Sequence, residues 1–290
     1  MFAVLAAARF AHFAALTLLF GLAAFPLYAP RATPAIPALR RLLRALAALA
    51  LATGGGELLV MAGNMGGGPA SMLDPAILSA VMTDTDYGKV WAGRLVLAAV
   101  VLGLSLRCAR DRDWAMLAGS GLLLASVGLT GHSAMPGGWL GLGHQAADAL
   151  HLLAAGWWIG GLLALALTAR ALGAQAVPLL QRFSGIGYAA VATLVLTGLF
   201  KSAILLVTLG ETVSTAYGWV LLAKLALFAG MLALAFGNNL WITPRLARGV
   251  DPAPWLGRLR RHVALEFALG LLVLATVGAL GAMSPPVSGP

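Results

Sequence analysis

The chain carries very little charge. Only 10% of its 290 residues are Asp, Glu, Lys or Arg, whereas 60% are hydrophobic. A water-soluble domain has roughly a quarter charged residues, so this composition excludes an ordinary soluble protein. A helix that crosses a bilayer needs about 20 apolar residues, and the chain has room for several. We therefore predict an all-α polytopic integral membrane protein, in which the 36 glycines allow close helix contacts.

Other features that would point to a different function are also missing. The single cysteine, Cys108, cannot form an intramolecular disulfide. We find no Walker A pattern and no nucleic-acid-binding motif, so we expect neither ATP-driven pumping, nor a nucleic-acid partner, nor an enzyme. The opening run 1–26 lacks a basic n-region and a cleavage site, which predicts a retained first helix. We also find no internal repeat.

Charged, glycine and proline residues divide the chain into about eight predicted transmembrane helices. Fourteen of the 19 lysine and arginine residues fall in every second connection. Because short loops rich in basic residues stay in the cytoplasm, both termini are predicted to be periplasmic. We expect one transmembrane domain over 1–282 and a short periplasmic tail over 283–290. The predicted spans are 3–25, 40–63, 88–109, 114–130, 145–169, 180–208, 217–240 and 260–282.

The connection 64–88 is the longest between the predicted spans. Within it, Asp74 followed by Pro75 is typical of the start of a helix, with Asp74 as the N-cap. We therefore predict a short helix at the membrane surface over 75–82.

Histidines are concentrated in one stretch of the chain, where His132, His144 and His151 fall within twenty residues. A fourth, His12, lies inside the first predicted span. Neutral imidazole binds late transition metals, and a methionine thioether adds preference for reduced copper. The predicted topology places these histidines and most methionines in the outer half. We predict a copper site near the outer face, with these candidate ligands: His12, His132, His151, His144, Met135 and Met61.

Asp148 shares one helical face with His144 and His151, because the three residues are spaced by four and three positions. An aspartate inside a span costs about 2.5 to 3.5 kcal/mol on insertion scales, so it needs a partner in the bundle interior. We expect Asp148 to orient a ligating histidine or to relay protons.

Several longer motifs resemble a known family. They are ARFAH at 8–12, YGKVWAGRL at 87–95, LTGHSAMP at 129–136 and DALHLLAAGWWIGGLLAL at 148–165. In type and order they resemble the copper resistance protein D (CopD) family of bacterial inner-membrane proteins, along nearly the whole chain. The resemblance implies a multi-pass protein that moves copper, as Cu(I) or Cu(II). It also implies a separate periplasmic copper-binding partner of the copper resistance protein C type.

Two other functions remain compatible with the sequence. A b-type cytochrome would hold haem between two histidines, either His12 with His151 or His132 with His151. A copper-delivery assembly factor would bind copper without transporting it. Among the copper functions, the outer position of the candidate ligands favours uptake over export.

Overall fold

The computed structural model describes residues 1–29, 36–107, 113–130, 138–172, 176–205, 214–248 and 252–283. This part of the chain is helical and contains no strand. We number the helices in chain order: α1 Phe2–Ala24, α2 Ile36–Met65, α3 Pro75–Asp84, α4 Asp86–Arg107, α5 Trp114–Ala125, α6 Gly138–Leu172, α7 Ala176–Leu205, α8 Ala216–Gly237, α9 Thr243–Ala247 and α10 Pro252–Ala282.

Seven of the eight predicted spans are helices long and apolar enough to cross a membrane. The fourth is a shorter apolar helix, Trp114–Leu129, in which α5 continues into the 3-10 helix Ser126–Leu129. This segment runs antiparallel to α4, because Gly119 packs on Val101 while Ser126 contacts Arg94. At about 1.5 Å per α-helical and about 2 Å per 3-10 residue, it extends close to the thickness of a hydrocarbon core. The fold is that of an all-α polytopic membrane protein.

The short helix predicted after Asp74 is confirmed as α3. The Asp74 carboxylate accepts a hydrogen bond from the backbone N–H of Ala76 at 2.9 Å, and Pro75 occupies the first turn. A side-chain oxygen at this position satisfies one of the backbone donors that a helix leaves unpaired at its start. The helix packs against α4, where Val81 and Trp91 belong to a small buried cluster.

Helices α1 and α6 form the centre of the bundle. α1 packs against α2, α5, α6 and α10, and α6 packs against α1, α5, α7 and α10. The two run in the same direction and cross where Gly21 meets Gly156 and Gly160. Small residues at such a crossing let two backbones approach closely inside a membrane. One buried polar cluster lies on the α2 side of this central pair and a second on the α7 side.

Candidate metal site

The first cluster joins α1, α2 and α4, and we define it as Arg9, His12, Thr53, Glu57 and Arg94. Arg9 Nε lies 3.3 Å from Glu57 Oε1, and the Glu57 side chain is 3% exposed. Arg9 and Arg94 both lie within electrostatic range of this carboxylate. A charge inside a membrane needs a partner in the bundle interior, and the pair between α1 and α2 provides one.

Thr53 fixes the tautomer of His12. The Thr53 hydroxyl donates its single hydrogen to backbone carbonyls of its own helix, at 2.7 Å from Leu49 O and 3.3 Å from Ala50 O. Its oxygen lies 3.1 Å from His12 Nδ1; with the hydroxyl hydrogen on these carbonyls, the oxygen accepts there and the proton is on Nδ1. The Nε2 atom of a neutral His12 then holds a lone pair. Fixing one ring nitrogen in this way is how proteins prepare the other for a metal.

Trp91 and Gly54 complete the wall beside His12. Trp91 Nε1 donates to Gly54 O at 2.9 Å, and its ring lies 5.7 Å from the His12 ring. A Cβ atom on Gly54 would lie 3.2 Å from His12 Cε1, so a larger residue would crowd the imidazole. Arg94 stacks over the Trp91 ring and donates to Ser126 and Thr130 at the end of the fourth span.

Five buried polar atoms of this region have no hydrogen-bond partner among the described residues. One is Arg9 Nε, which still forms the ion pair with Glu57; the others are His12 Nε2, Glu57 Oε2, Tyr87 Oη and Arg94 Nη1. Each unsatisfied buried group costs about 1 to 3 kcal/mol, and folded proteins contain few of them. They are concentrated on one side of α1, where water or another polar species would supply the missing partners.

The second cluster joins α6, α7 and α8, and we define it as Asp148, His151, Thr197, Lys201 and Lys224. Asp148 forms an ion pair with Lys201. His151 Nδ1 lies 2.8 Å from the Thr197 hydroxyl, which donates its hydrogen to Thr193 O at 2.6 Å. His151 therefore has the same tautomer as His12, with the lone pair on Nε2. Lys224 and Lys201 both lie within electrostatic range of this ring.

The structure brings together only part of the predicted ligand set. His12 contacts α2 and His151 contacts α7, so the two histidines lie in different clusters. His144 packs its ring against Phe200 at 4.9 Å, and Met61 is half-buried one turn beyond Glu57. His132 and Met135 lie outside the described residues. Among the residues that are described, no group of three or more His, Cys, Asp or Glu side chains could hold a metal ion.

A third polar group lies farther along α6 and is absent from the sequence predictions. Glu266 accepts from Trp158 Nε1 at 2.7 Å and from Asn238 Nδ2 at 3.3 Å, and Asn238 also contacts His262 Nδ1 at 2.9 Å. These residues adjoin a cavity of about 70 Å³ between α6, α7, α8 and α10. His262 is half-buried.

The sequence prediction also missed Thr53, Thr197 and the pairing of Arg9 with Glu57. A threonine inside an apolar helix is common and draws no notice unless its neighbour on the next helix is known. Arg9 and Glu57 are 48 positions apart, and their contact follows from the antiparallel packing of α1 on α2. The available signal was the shared spacing of Arg9 to His12 and Asp148 to His151.

Seven long apolar helices in the described part of the chain, with ionisable side chains buried between them, define a multi-pass membrane protein with polar sites inside the bilayer. Residues 1–142 match the family model described as copper resistance protein D-like, N-terminal domain, and residues 177–280 match that described as copper resistance protein D. The chain belongs to the copper resistance protein D family and is a multi-pass inner-membrane protein.

Three relatives illustrate the similarity. Copper resistance protein D of Pseudomonas syringae pv. tomato is 34% identical, with 96% of each chain aligned. Inner membrane protein YebZ of Escherichia coli is 32% identical, with 96% of this chain and 97% of the relative aligned. Copper transport protein CutJ of Bacillus subtilis is 29% identical over 78% of this chain and 42% of its own length. No solved structure matches the chain.

Proposed function

We propose that this protein binds copper inside the membrane and carries it across, with His12 Nε2 as a ligand. The observation that supports this is a buried imidazole nitrogen without a partner. His12 is 1% exposed, Thr53 holds its proton on Nδ1, and Nε2 has no hydrogen-bond partner among the described residues. An imidazole prepared in this way, in a chain of the copper resistance protein D family, is suited to a copper ion.

The other ligands of this ion are proposed to come from the candidates His132, Met135 and Met61. Thr130, two positions before His132, contacts Arg94 at 3.0 Å, which ties the end of the fourth span to the first cluster. Met61 lies on α2, one turn from Glu57. A site that combines one or two imidazoles with a thioether suits Cu(I).

The charges of the first cluster also favour the monovalent ion. The cluster holds two basic side chains, Arg9 and Arg94, and one acidic side chain, Glu57. The repulsion that an added cation meets is proportional to its charge, so Cu(I) is repelled half as strongly as Cu(II). We therefore propose Cu(I) as the transported form.

Uptake into the cytoplasm is the proposed direction. With both termini in the periplasm, His12, His144 and His151 lie in the outer half of the membrane, where copper from outside reaches them first. A periplasmic protein of the copper resistance protein C type is the proposed donor. Conduction requires binding weak enough for release, so copper would pass between sites by ligand exchange.

Of the two haem pairs that the sequence allows, the contacts of the described histidines argue against His12 with His151; His132 lies outside the described residues. A haem between two axial histidines needs both imidazoles turned toward one gap. His12 is turned to Thr53 on α2 and His151 to Thr197 on α7. A copper-delivery factor would use the same site without transporting copper. A measurement of copper flux distinguishes the two functions, because only a transporter moves copper across the membrane.

The test measures copper binding by detergent-purified protein and copper uptake by liposomes that contain it. We expect the parent to bind Cu(I) and to transport it, and His12→Ala to lose bound copper and flux. His262→Ala is the matched control, because it removes an imidazole from the Asn238 contact and leaves the first cluster unchanged. Equal copper content in His12→Ala and the parent would contradict the assignment of His12. Binding without flux would identify a delivery factor.

A further inference from the structure

The two polar clusters are built from the same residue types at the same spacing. Arg9 and His12 on α1 correspond to Asp148 and His151 on α6, each 139 positions later. On the next helix of each group, Thr53-Gly54 with Glu57 corresponds to Thr197-Gly198 with Lys201, each 144 positions later. In both cases the histidine lies three residues after a charged residue of its own helix. The threonine that it contacts lies four residues before a residue of the opposite charge on the next helix.

The correspondence continues through two more helices of each half. At the start of α4 and α8 the sequences TDYGKVWAGRL (85–95) and TAYGWVLLAKL (215–225) match. Thr85 and Thr215 cap these helices in the same way, because each hydroxyl accepts from the backbone N–H three residues later. The Gly88 N–H donates to Thr85 at 2.9 Å, and the Gly218 N–H donates to Thr215 at 3.1 Å. The sequence ASVG (125–128) in the fourth span likewise matches ATVG (275–278) in α10. The expectation that the chain has no internal repeat was therefore wrong.

The packing follows the same two-fold relationship. Gly21 and Gly160 are equivalent positions and lie against each other, as residues on a two-fold axis do. A Cβ atom on Gly278 would meet Ala6 O and Phe10 N on α1, at 2.8 and 3.0 Å. A Cβ atom on Gly128 would meet the equivalent atoms on α6, Gln145 O and Ala149 N, both at 3.5 Å. The last helix of each repeat therefore packs on the first helix of the other.

The repeat is hidden because the ion pairs are reversed. In the first repeat the base, Arg9, lies on the first helix and the acid, Glu57, on the second. In the second repeat the acid, Asp148, lies on the first helix and the base, Lys201, on the second. The third helix supplies a base in both, Arg94 or Lys224. Each cluster thus keeps two basic side chains and one acidic side chain around a histidine of the same tautomer.

From this repeat we infer that the protein binds two copper ions in separate sites, one at Nε2 of His12 and the other at Nε2 of His151. The inference rests on the proposed copper function and deepens it. The two sites are separate because the histidines face α2 and α7 on opposite sides of the central helix pair.

The two sites lie at the same depth in the membrane. α1 and α6 run in the same direction and cross at Gly21 and Gly160, and each histidine precedes its glycine by nine residues. At about 1.5 Å per residue, both imidazoles lie about 13 to 14 Å along the helix from the crossing. Copper therefore occupies the sites in parallel, and one site does not pass copper to the other across the bilayer.

The experiment counts copper. Parent protein and variants are loaded with Cu(I) as the metal alone, passed through a desalting column and assayed for metal per chain. We expect two copper ions in the parent and in His262→Ala, one in His12→Ala, one in His151→Ala, and none in the double variant. One copper in the parent, lost in either single variant, would overturn the two-site inference and leave the copper function intact. No copper in the parent would end both.

Threonine variants keep the inference testable if a histidine variant fails to fold. Thr53→Val and Thr197→Val keep the side-chain shape and remove the hydroxyl that holds Nδ1. Loss of such an orienting group weakens metal affinity by about 10 to 100-fold. In a copper titration, in which each site gives one binding phase, each variant should therefore weaken one of two phases. Thr193→Val, which removes an exposed hydroxyl bonded to Ala189 O on the same helix, is the matched control. A single phase weakened equally by Thr53→Val and Thr197→Val would contradict two separate sites.

Discussion

Gly21 of α1 lies against Gly160 of α6 so closely that a Cβ atom on Gly21 would be 2.5 Å from the Gly160 Cα atom. Real Cβ atoms do not approach a backbone atom to this distance, so any larger residue must push the two central helices apart. Because Gly21 and Gly160 are equivalent positions of the repeat, their contact fixes the relative position of the two clusters.

Gly21→Ala is therefore expected to destabilise the protein although alanine favours a helix. Overpacking a close contact costs about 1 to 3 kcal/mol, more than the roughly 0.5 to 1 kcal/mol that alanine gains over glycine in a helix. The melting temperature of the protein in detergent measures the effect. Gly103→Ala is the control, because a Cβ atom there would have no neighbour within 4 Å. A melting temperature for Gly21→Ala equal to or above that of Gly103→Ala would contradict the close crossing.

The buried pair of Arg9 with Glu57 predicts a recoverable charge reversal. Arg9→Asp places two carboxylates together, and losing one partner of a buried ion pair costs about 3 to 5 kcal/mol. Adding Glu57→Lys reproduces the order of charges that Asp148 and Lys201 show in the second repeat. We expect the single variant to lose most of its folded yield and the double variant to recover most of it, as measured by size-exclusion chromatography.

The exposed pair of Lys89 with Asp86 is the control for this reversal. Its side chains are 61% and 100% exposed, and exposed pairs contribute little to stability. Reversing either charge there is expected to leave the folded yield unchanged. A double variant of Arg9 and Glu57 as unstable as Arg9→Asp alone would show that the two repeats do not accept each other's charges.

The helical fold was predictable from sequence because lipid imposes simple rules on composition. Long apolar runs between basic connections identified seven of the candidate spans, and a cap at Asp74 identified α3. The partners of the buried charges were not predictable. They depend on which helix faces which, and the apolar faces of these helices all look alike in sequence.

The candidate site was predictable in part. His12 and His151 stood out because nitrogen ligands are rare in apolar segments, and both are buried or half-buried beside an orienting threonine. Their separation was missed, since equal depth in the membrane says nothing about the direction in which a side chain points. The repeat was missed because the acid and the base of the ion pair exchange positions between the two halves. The charged residues at equivalent positions are therefore not identical in sequence.

Basic residues in alternate connections predict that both termini are periplasmic. A reporter that is active only in the periplasm, fused after Pro290, is expected to be active. A reporter that is active only in the cytoplasm, fused at the same position, is expected to be silent and serves as the control. The opposite pair of results would place His12 and His151 in the inner half and would favour export over uptake.

Asp148 offers a test of what the charges around His151 do. It pairs with Lys201, and the charge of Lys224 also acts on His151. Asp148→Asn keeps the side-chain size but leaves two bases beside the imidazole without an acid. A cation is then repelled more strongly. We therefore expect the copper ion at His151 to bind about 10 to 100-fold more weakly, the usual effect of losing a group that supports a metal ligand. The copper ion at His12 should be unaffected.

The double variant Asp148→Asn with Lys201→Met separates this electrostatic role from a role in proton transfer. Removing one base together with the acid leaves only the positive charge of Lys224. The net charge of the cluster is then the same as in the parent. If Asp148 acts by balancing charge, the double variant regains both copper affinity and liposome flux. If Asp148 relays protons, copper affinity returns while flux stays low, because asparagine cannot accept a proton at neutral pH. A double variant with affinity as weak as Asp148→Asn would show that the carboxylate holds the site by direct contact, and that neither charge balance nor proton transfer explains its place beside His151.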